Sequence, residues 1–143
     1  MCASSSILRA AIAGAVALFG AVAAQAQVSV HINKASQTMN VTVDGSHYAT
    51  WAVSTATKGY RTPSGSFRAH RLERMWYSRK YDMSPMPHSI FFLGGYAIHG
   101  TGAIRSLGRP ASHGCVRLHP SNAAALFNMV RERGMRSARI TIS

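Results

Sequence analysis

The chain has 143 residues, Lys+Arg 16 against Asp+Glu 4, a formal net charge of +12 and 47% hydrophobic residues. That length suits one domain, and the apolar fraction excludes wholesale disorder. Two cysteines exclude a disulfide scaffold, and the basic excess leaves nucleic acid, an anionic envelope or an acidic polymer as partner classes.

In chain order, residues 1–26 read as an export leader, a signal peptide, rather than as part of the fold. Arg9 supplies a positive n-region, and Ala10 to Ala24 is uncharged and apolar. That run is shorter than the roughly 20 residues a bilayer-spanning helix needs, so no stable membrane span is expected. Ala24-Gln25-Ala26 puts small residues where a signal peptidase requires them, and cleavage is expected after Ala26. The expected domain is then 27–143, with a charge of +11 once Arg9 is lost. Its compartment would be the periplasm or cell wall, away from chromosomal DNA, so nucleic acid is not the expected partner. Cys2 would leave with the leader. Cys115 would remain as a lone thiol: buried and inert, paired between molecules, or chemically employed.

Val28, Val30 and Ile32 alternate with polar residues, the period of a half-buried strand, and Met39, Val41 and Val43 repeat it. Asp44-Gly45 is a hairpin signal, and the chain returns through Tyr48, Trp51 and Val53. Lys58 to Ser66, with Gly59, Pro63 and Gly65, reads as a loop. Phe67 to Leu72 predicts another strand. Pro85 and Pro87 make Tyr81 to His88 irregular or a sheet edge. Ile90–Leu93 and Tyr96–His99 are short β-rich runs separated by Gly94-Gly95.

One helix is predicted near the C-terminus. Ser121 is a plausible N-cap, His119 before Pro120 caps or precedes the helix, and Ala123, Leu126, Phe127 and Val130 form one apolar stripe at i, i+3, i+4 and i+7. Arg131 and Arg133 suit its last turn and Gly134 the C′ position. Ala138, Ile140 and Ile142 then alternate as a final strand. The fold class is mostly β, a β-rich α+β domain with one covering helix. Trp51, Trp76 and Phe91-Phe92 are expected in the core or a cleft wall, and His31, His47 and His70 on the surface.

Cys115 follows a glycine in Ser112-His113-Gly114-Cys115-Val116-Arg117-Leu118. Gly114 lets the backbone pass close to a substrate without a Cβ clash. A cysteine nucleophile needs a base or a cationic neighbour, and His99, His113 and His119 are candidates. His113 is two positions away, on the same side only if the segment is extended. His99 ends a predicted strand, and the loop after it is long enough to fold back onto the thiol. The Gly100 carbonyl would then hold the imidazole in one tautomer, with no acidic third member.

His99-Gly100, a glycine-containing loop, then Ser112-His113-Gly114-Cys115-Val116-Arg117 resembles the signature of the L,D-transpeptidase family with the YkuD-type catalytic domain. Thr62-Pro63-Ser64-Gly65-Ser66-Phe67 resembles that family's Thr-Pro-x-Gly-x-Phe loop. Met86-Pro87, Ile90-Phe91 and Gly94-Gly95-Tyr96 resemble the segment leading to its histidine. His88 stands where the family often has an aromatic residue. The resemblance implies a YkuD-like mixed β-sandwich and a cysteine acyl transfer in the cell envelope. The donor would be a peptidoglycan stem tetrapeptide, attacked at the carbonyl of its third residue, usually meso-diaminopimelate, with release of D-Ala. The acceptor would be a neighbouring stem amine, a lipoprotein lysine, an outer-membrane protein's amino terminus, a D-amino acid or water, the last giving carboxypeptidase activity. No cofactor and no metal are implied.

On this resemblance Cys115 is the nucleophile, His99 the general base and later proton donor, and Gly100 the orienter of His99. Backbone N–H groups near His113, Gly114 and Cys115 would stabilise the oxyanion, each worth about 3 kcal/mol in the transition state. Arg117 would bind a substrate carboxylate. Ser112 and Tyr96 join it at the substrate, while Ser112 and His113 also brace the turn. Two other classes stay open. One is a metal site using His99, His113, Cys115 and His119, although no paired metal-binding motif is present. The other is a non-catalytic basic binder of the envelope.

Overall fold

The computed structural model describes residues 14–20 and 27–143. Most of the expected leader, 1–26, lies outside them. Among the described residues, no helix is long and apolar enough to cross a membrane.

Two sheets and one helix share a core. β1 (Val28–Asn33), β2 (Thr38–Val43) and β3 (Ser46–Ala52) form an antiparallel meander. Asp44 and Gly45 turn β2 into β3, with φ of 50° and 82°. Both signs are what a two-residue hairpin turn matching strand twist requires. β9 (Ala138–Ile142) lies parallel beside β1, and β4 (Gly65–Arg68) closes the sheet in the order β3-β2-β1-β9-β4. The second sheet has the order β5-β6-β7-β8, from β5 (Arg71–Ser78), β6 (Ser84–Leu93), β7 (Tyr96–Gly100) and β8 (Val116–Leu118). Its last pair, β7 and β8, is parallel.

The alternating residues Val28, Val30 and Ile32, Met39 and Val41, and Ala138, Ile140 and Ile142 are all buried. They meet Ile90, Phe92, Ile98, Val116 and Leu118 of the second sheet in one cluster. The helix α1 (Pro120–Arg133) adds Ala123, Leu126, Phe127 and Val130, the stripe read from the sequence. Each of the Val, Leu, Ile, Phe and Met side chains among them contributes roughly 1.5–3 kcal/mol of burial, the alanines less.

Two local expectations are corrected. Phe67–Leu72 is not one strand: β4 ends at Arg68, Ala69 is buried, and β5 begins at Arg71 in the other sheet. Ser121 is not the N-cap. His119 is, its Nδ1 accepting from the Ser121 N–H at 3.1 Å, because Pro120 with its fixed φ suits the first helical position. Tyr81 to His88 is, as expected, an edge with an irregularity: Pro85 and Pro87 face Tyr77 and Met75 of β5, and His88 has φ of 52°. The β7 pairing starts only at Ile90, so this half of β6 has one partner and the prolines break no second ladder.

Candidate active site

Cys115 lies at the entrance to β8, and His99 lies on the neighbouring β7. Their register pairs Ile98 with Val116 and His99 with Arg117. Ile98 and Val116 are buried in the shared core. Strand alternation therefore turns His99, Arg117 and Cys115 to the opposite face. There Met86, Phe91 and Ala97 make a small second cluster, with Trp76 and Cys115 against it. This face floors a cleft of about 630 Å³ lined by His99, Cys115, Arg117, Tyr96, His113 and Gly114 among others. A smaller hollow of about 210 Å³, bordered by Lys34, Gln37 and Thr62, has neither a cysteine nor a histidine in its lining.

His99 is only 5% exposed. Its Nδ1 lies 2.6 Å from the Gly100 carbonyl oxygen. A carbonyl can only accept, so Nδ1 carries the hydrogen and Nε2 keeps the basic lone pair. The His99 pKa is lowered to about 4, chiefly by burial and in part by the Arg117 guanidinium, against the opposing Gly100 bond. Cys115 is half-buried, its Sγ 3.8 Å from the Gly95 carbonyl. Burial pushes the thiol up, while a backbone hydrogen bond at Ala97 and the Arg117 charge pull it down. At neutral pH the resting pair is therefore an uncharged thiol and an uncharged imidazole. Such a pair acts by general-base transfer during attack rather than through a preformed ion pair.

The turn before Cys115 is held from three sides. Gly114 has φ of 142°, and a Cβ there would lie 2.8 Å from Tyr96 Cε1 and 3.0 Å from the Arg61 oxygen. Ser112 is buried. Its Oγ accepts from Gly114 N–H at 3.1 Å and donates to the Cys115 carbonyl at 2.6 Å. Thr62 Oγ1 donates to the Gly114 carbonyl at 2.8 Å. The Gly114 N–H is thus engaged, which leaves those of His113 and Cys115 as candidate oxyanion donors.

The other expected site residues are placed as follows. His113 is exposed, its ring centroid 4.6 Å from that of Tyr60 and 4.3 Å from that of Tyr81. Arg117 lines the cleft and donates from Nη1 to the Ala111 carbonyl at 3.2 Å. Tyr96 lines the cleft and stacks on Phe92, 6.5 Å between centroids. Trp76 and Phe91 are cleft wall, whereas Phe92 is core and Trp51 packs against it. His88 meets Phe127 edge to face at 5.3 Å, so it faces the helix. His31, His47 and His70 are exposed. His119 caps α1 and does not line the cleft. Among the described residues, no group of three or more His, Cys, Asp or Glu is placed to hold a metal ion. Thr62, Tyr60, Tyr81 and Arg71 also belong to the site or brace it, and none has a role that the sequence marks residue by residue. Only Thr62 carried a signal, as the first residue of its quoted loop.

The model of the YkuD family, L,D-transpeptidase catalytic domain, matches residues 27–141. Solved structures share the fold. An L,D-transpeptidase from Stackebrandtia nassauensis is 27% identical with a TM-score of 0.71, over 82% of this chain and 55% of that one. One from Mycobacterium smegmatis is 23% identical with a TM-score of 0.74, over 82% and 59%. L,D-transpeptidase 3 from Mycobacterium tuberculosis, in complex with a faropenem-derived adduct, is 18% identical with a TM-score of 0.71, over 82% and 60%. The chain thus spans less than two thirds of the length of these structures. No curated protein matches it significantly in sequence.

Proposed function

This chain belongs to the L,D-transpeptidase catalytic-domain family, and on that premise we propose that it is a cysteine acyltransferase acting on peptidoglycan stem tetrapeptides. One observation carries the reading. Cys115 and a buried His99 share one cleft face across β7 and β8, and the Gly100 carbonyl leaves His99 Nε2 as the base.

Cys115 Sγ attacks the carbonyl of the third stem residue while His99 Nε2 takes the thiol proton. The N–H groups of His113 and Cys115 receive the developing oxyanion. The bond to D-Ala breaks, His99 returns the proton to the leaving nitrogen, and a thioester remains. An acceptor amine attacks the thioester, His99 takes its proton, and the Cys115 thiol is regenerated with that proton. A neighbouring stem gives a crosslink, an envelope lipoprotein or outer-membrane protein gives protein attachment, and water gives a tripeptide. We place this work outside the cytoplasm, on the strength of the 1–26 leader pattern.

Incubation of the 27–143 protein with disaccharide-tetrapeptides, read by mass, tests the reading. A crosslinked dimer lacking one D-Ala supports it, as does a mass increase on wild type exposed to faropenem. Absence of both overturns it. Cys115→Ala is expected to lose both the products and the adduct.

A further inference from the structure

We propose that Arg71 anchors a carboxylate of the stem-peptide donor that is remote from the scissile carbonyl, and so sets donor specificity. This rests on the transpeptidase reading above.

Arg71 faces Phe91 in the β5–β6 register, and Phe91 faces Ala97 in the β6–β7 register. One step back along the Ile98–Val116 pairing reaches Cys115. Arg71, Phe91, Ala97 and Cys115 therefore form one row across the second sheet. At about 4.8 Å per strand, the outer two backbones lie roughly 14 Å apart. The Arg71 side chain closes part of that gap. Its Cζ lies 4.0 Å from the Phe91 ring centroid and 4.5 Å from that of Trp76. The two rings meet edge to face at 5.7 Å. The guanidinium thus rests over the neighbouring strand, about 10 Å from the Cys115 backbone.

The aromatic contacts fix the group in place, and its N–H edges are left for an acceptor. Among the described residues, the Arg71 side chain makes no hydrogen bond, and the one salt bridge joins Arg133 to Asp44. Arg117, by contrast, is already tied to Ala111. Arg71, Arg79, Lys80 and Arg117 line the cleft, and none of the four acids does. Glu73, two residues along β5, pairs with Ser89 and stays out of it. An exposed guanidinium resting on two rings, with its fork unpaired in a cleft of cations, suits a carboxylate. A stem tetrapeptide offers two beyond its terminal D-Ala: the end of the diaminopimelate side chain and the α-carboxylate of glutamate.

Three donors separate these sources: the free tetrapeptide, one amidated on the diaminopimelate side chain, and one amidated on glutamate. On wild type, one amidation is expected to lower kcat/KM by about ten- to a hundredfold, mainly through KM, and to identify the carboxylate. Arg71→Met keeps an apolar stem on Trp76 and Phe91 but removes the charge. It is expected to abolish the preference between free and amidated donor, and Arg71→Lys to restore part of it. Wild type that turns over all three donors equally overturns the inference alone, as does Arg71→Met that keeps the preference. Wild type inert on all three overturns the transpeptidase reading and this inference with it.

Discussion

Thr62 Oγ1 donates a 2.8 Å hydrogen bond to the carbonyl of Gly114, and the same oxygen accepts from Ala56 N–H at 2.9 Å. A loop fifty-two residues upstream thereby holds the peptide that precedes Cys115. Thr62 is buried, so an isosteric Thr62→Val change leaves both backbone partners without it in a dry site. The expected cost is about 1–3 kcal/mol in urea unfolding. A fall in kcat should accompany it, because Gly114 adjoins both candidate oxyanion donors. Thr62→Ser, which retains the hydroxyl, is expected to recover most of both. Full activity in Thr62→Val would show that the turn is held without this bond.

Gly114 meets a different constraint. Its φ of 142° and the 2.8 Å approach to Tyr96 Cε1 leave no room for a methyl group. Gly114→Ala must push the Tyr96 ring aside or rotate the turn, and the Arg61 carbonyl at 3.0 Å blocks the other side. The expected result is a kcat loss of about a hundredfold or more, the scale of a misplaced catalytic group. Pairing it with Tyr96→Ala tests the cause. Removing the ring should recover part of the loss if the clash with Tyr96 dominates, and none if backbone strain does.

The His99 pKa of about 4 gives two linked pH dependences. The base must be uncharged, so kcat/KM should fall on the acid side with a midpoint near 4 and stay level through neutrality. Folding follows the same group. The unfolded chain binds the proton from 6.5 downward and the native one only near 4, so stability is fully present above 6.5 and is lost as pH falls to about 4. The loss is about 3 kcal/mol at 1.36 kcal/mol per pKa unit. Urea midpoints across that range check it, and His99→Asn should flatten the dependence. An acid limb near 6.5 would mean that the imidazole is hydrated in solution.

How much of this was legible depended on whether local pattern or distant pairing set the geometry. Val28–Val30–Ile32 and Ala138–Ile140–Ile142 show their period because each buries one face in the same core. The Ala123–Val130 stripe shows for the same reason. β8 did not show, since Val116-Arg117-Leu118 is too short to display a period. Nor did the second half of β5, where Glu73 to Ser78 are exposed or half-buried throughout. His119 was legible as the residue that caps or precedes the helix, because Pro120 follows it, whereas Ser121, a better capping residue by type, lies two positions later inside the helix. Cys115 and His99 were legible from a compact motif. The Thr62–Gly114 bond and the Arg71–Phe91–Ala97–Cys115 row were not, because only long-range pairing makes them.

Arg117 faces His99 across β7 and β8, and its charge acts on both members of the pair. It lowers the His99 imidazole and the Cys115 thiol alike. Neutralising it in Arg117→Gln should therefore move both upward. The acid limb of kcat/KM should shift above 4, and the pH profile of thiol alkylation by iodoacetamide should shift to higher pH. A residue that only braced the turn through the Ala111 carbonyl would lower stability and move neither profile. Arg117→Lys separates the two roles. A lysine restores the charge without the planar fork, so both profiles should return toward wild type while stability stays reduced. Unmoved profiles in Arg117→Gln would confine this arginine to substrate binding and to the turn.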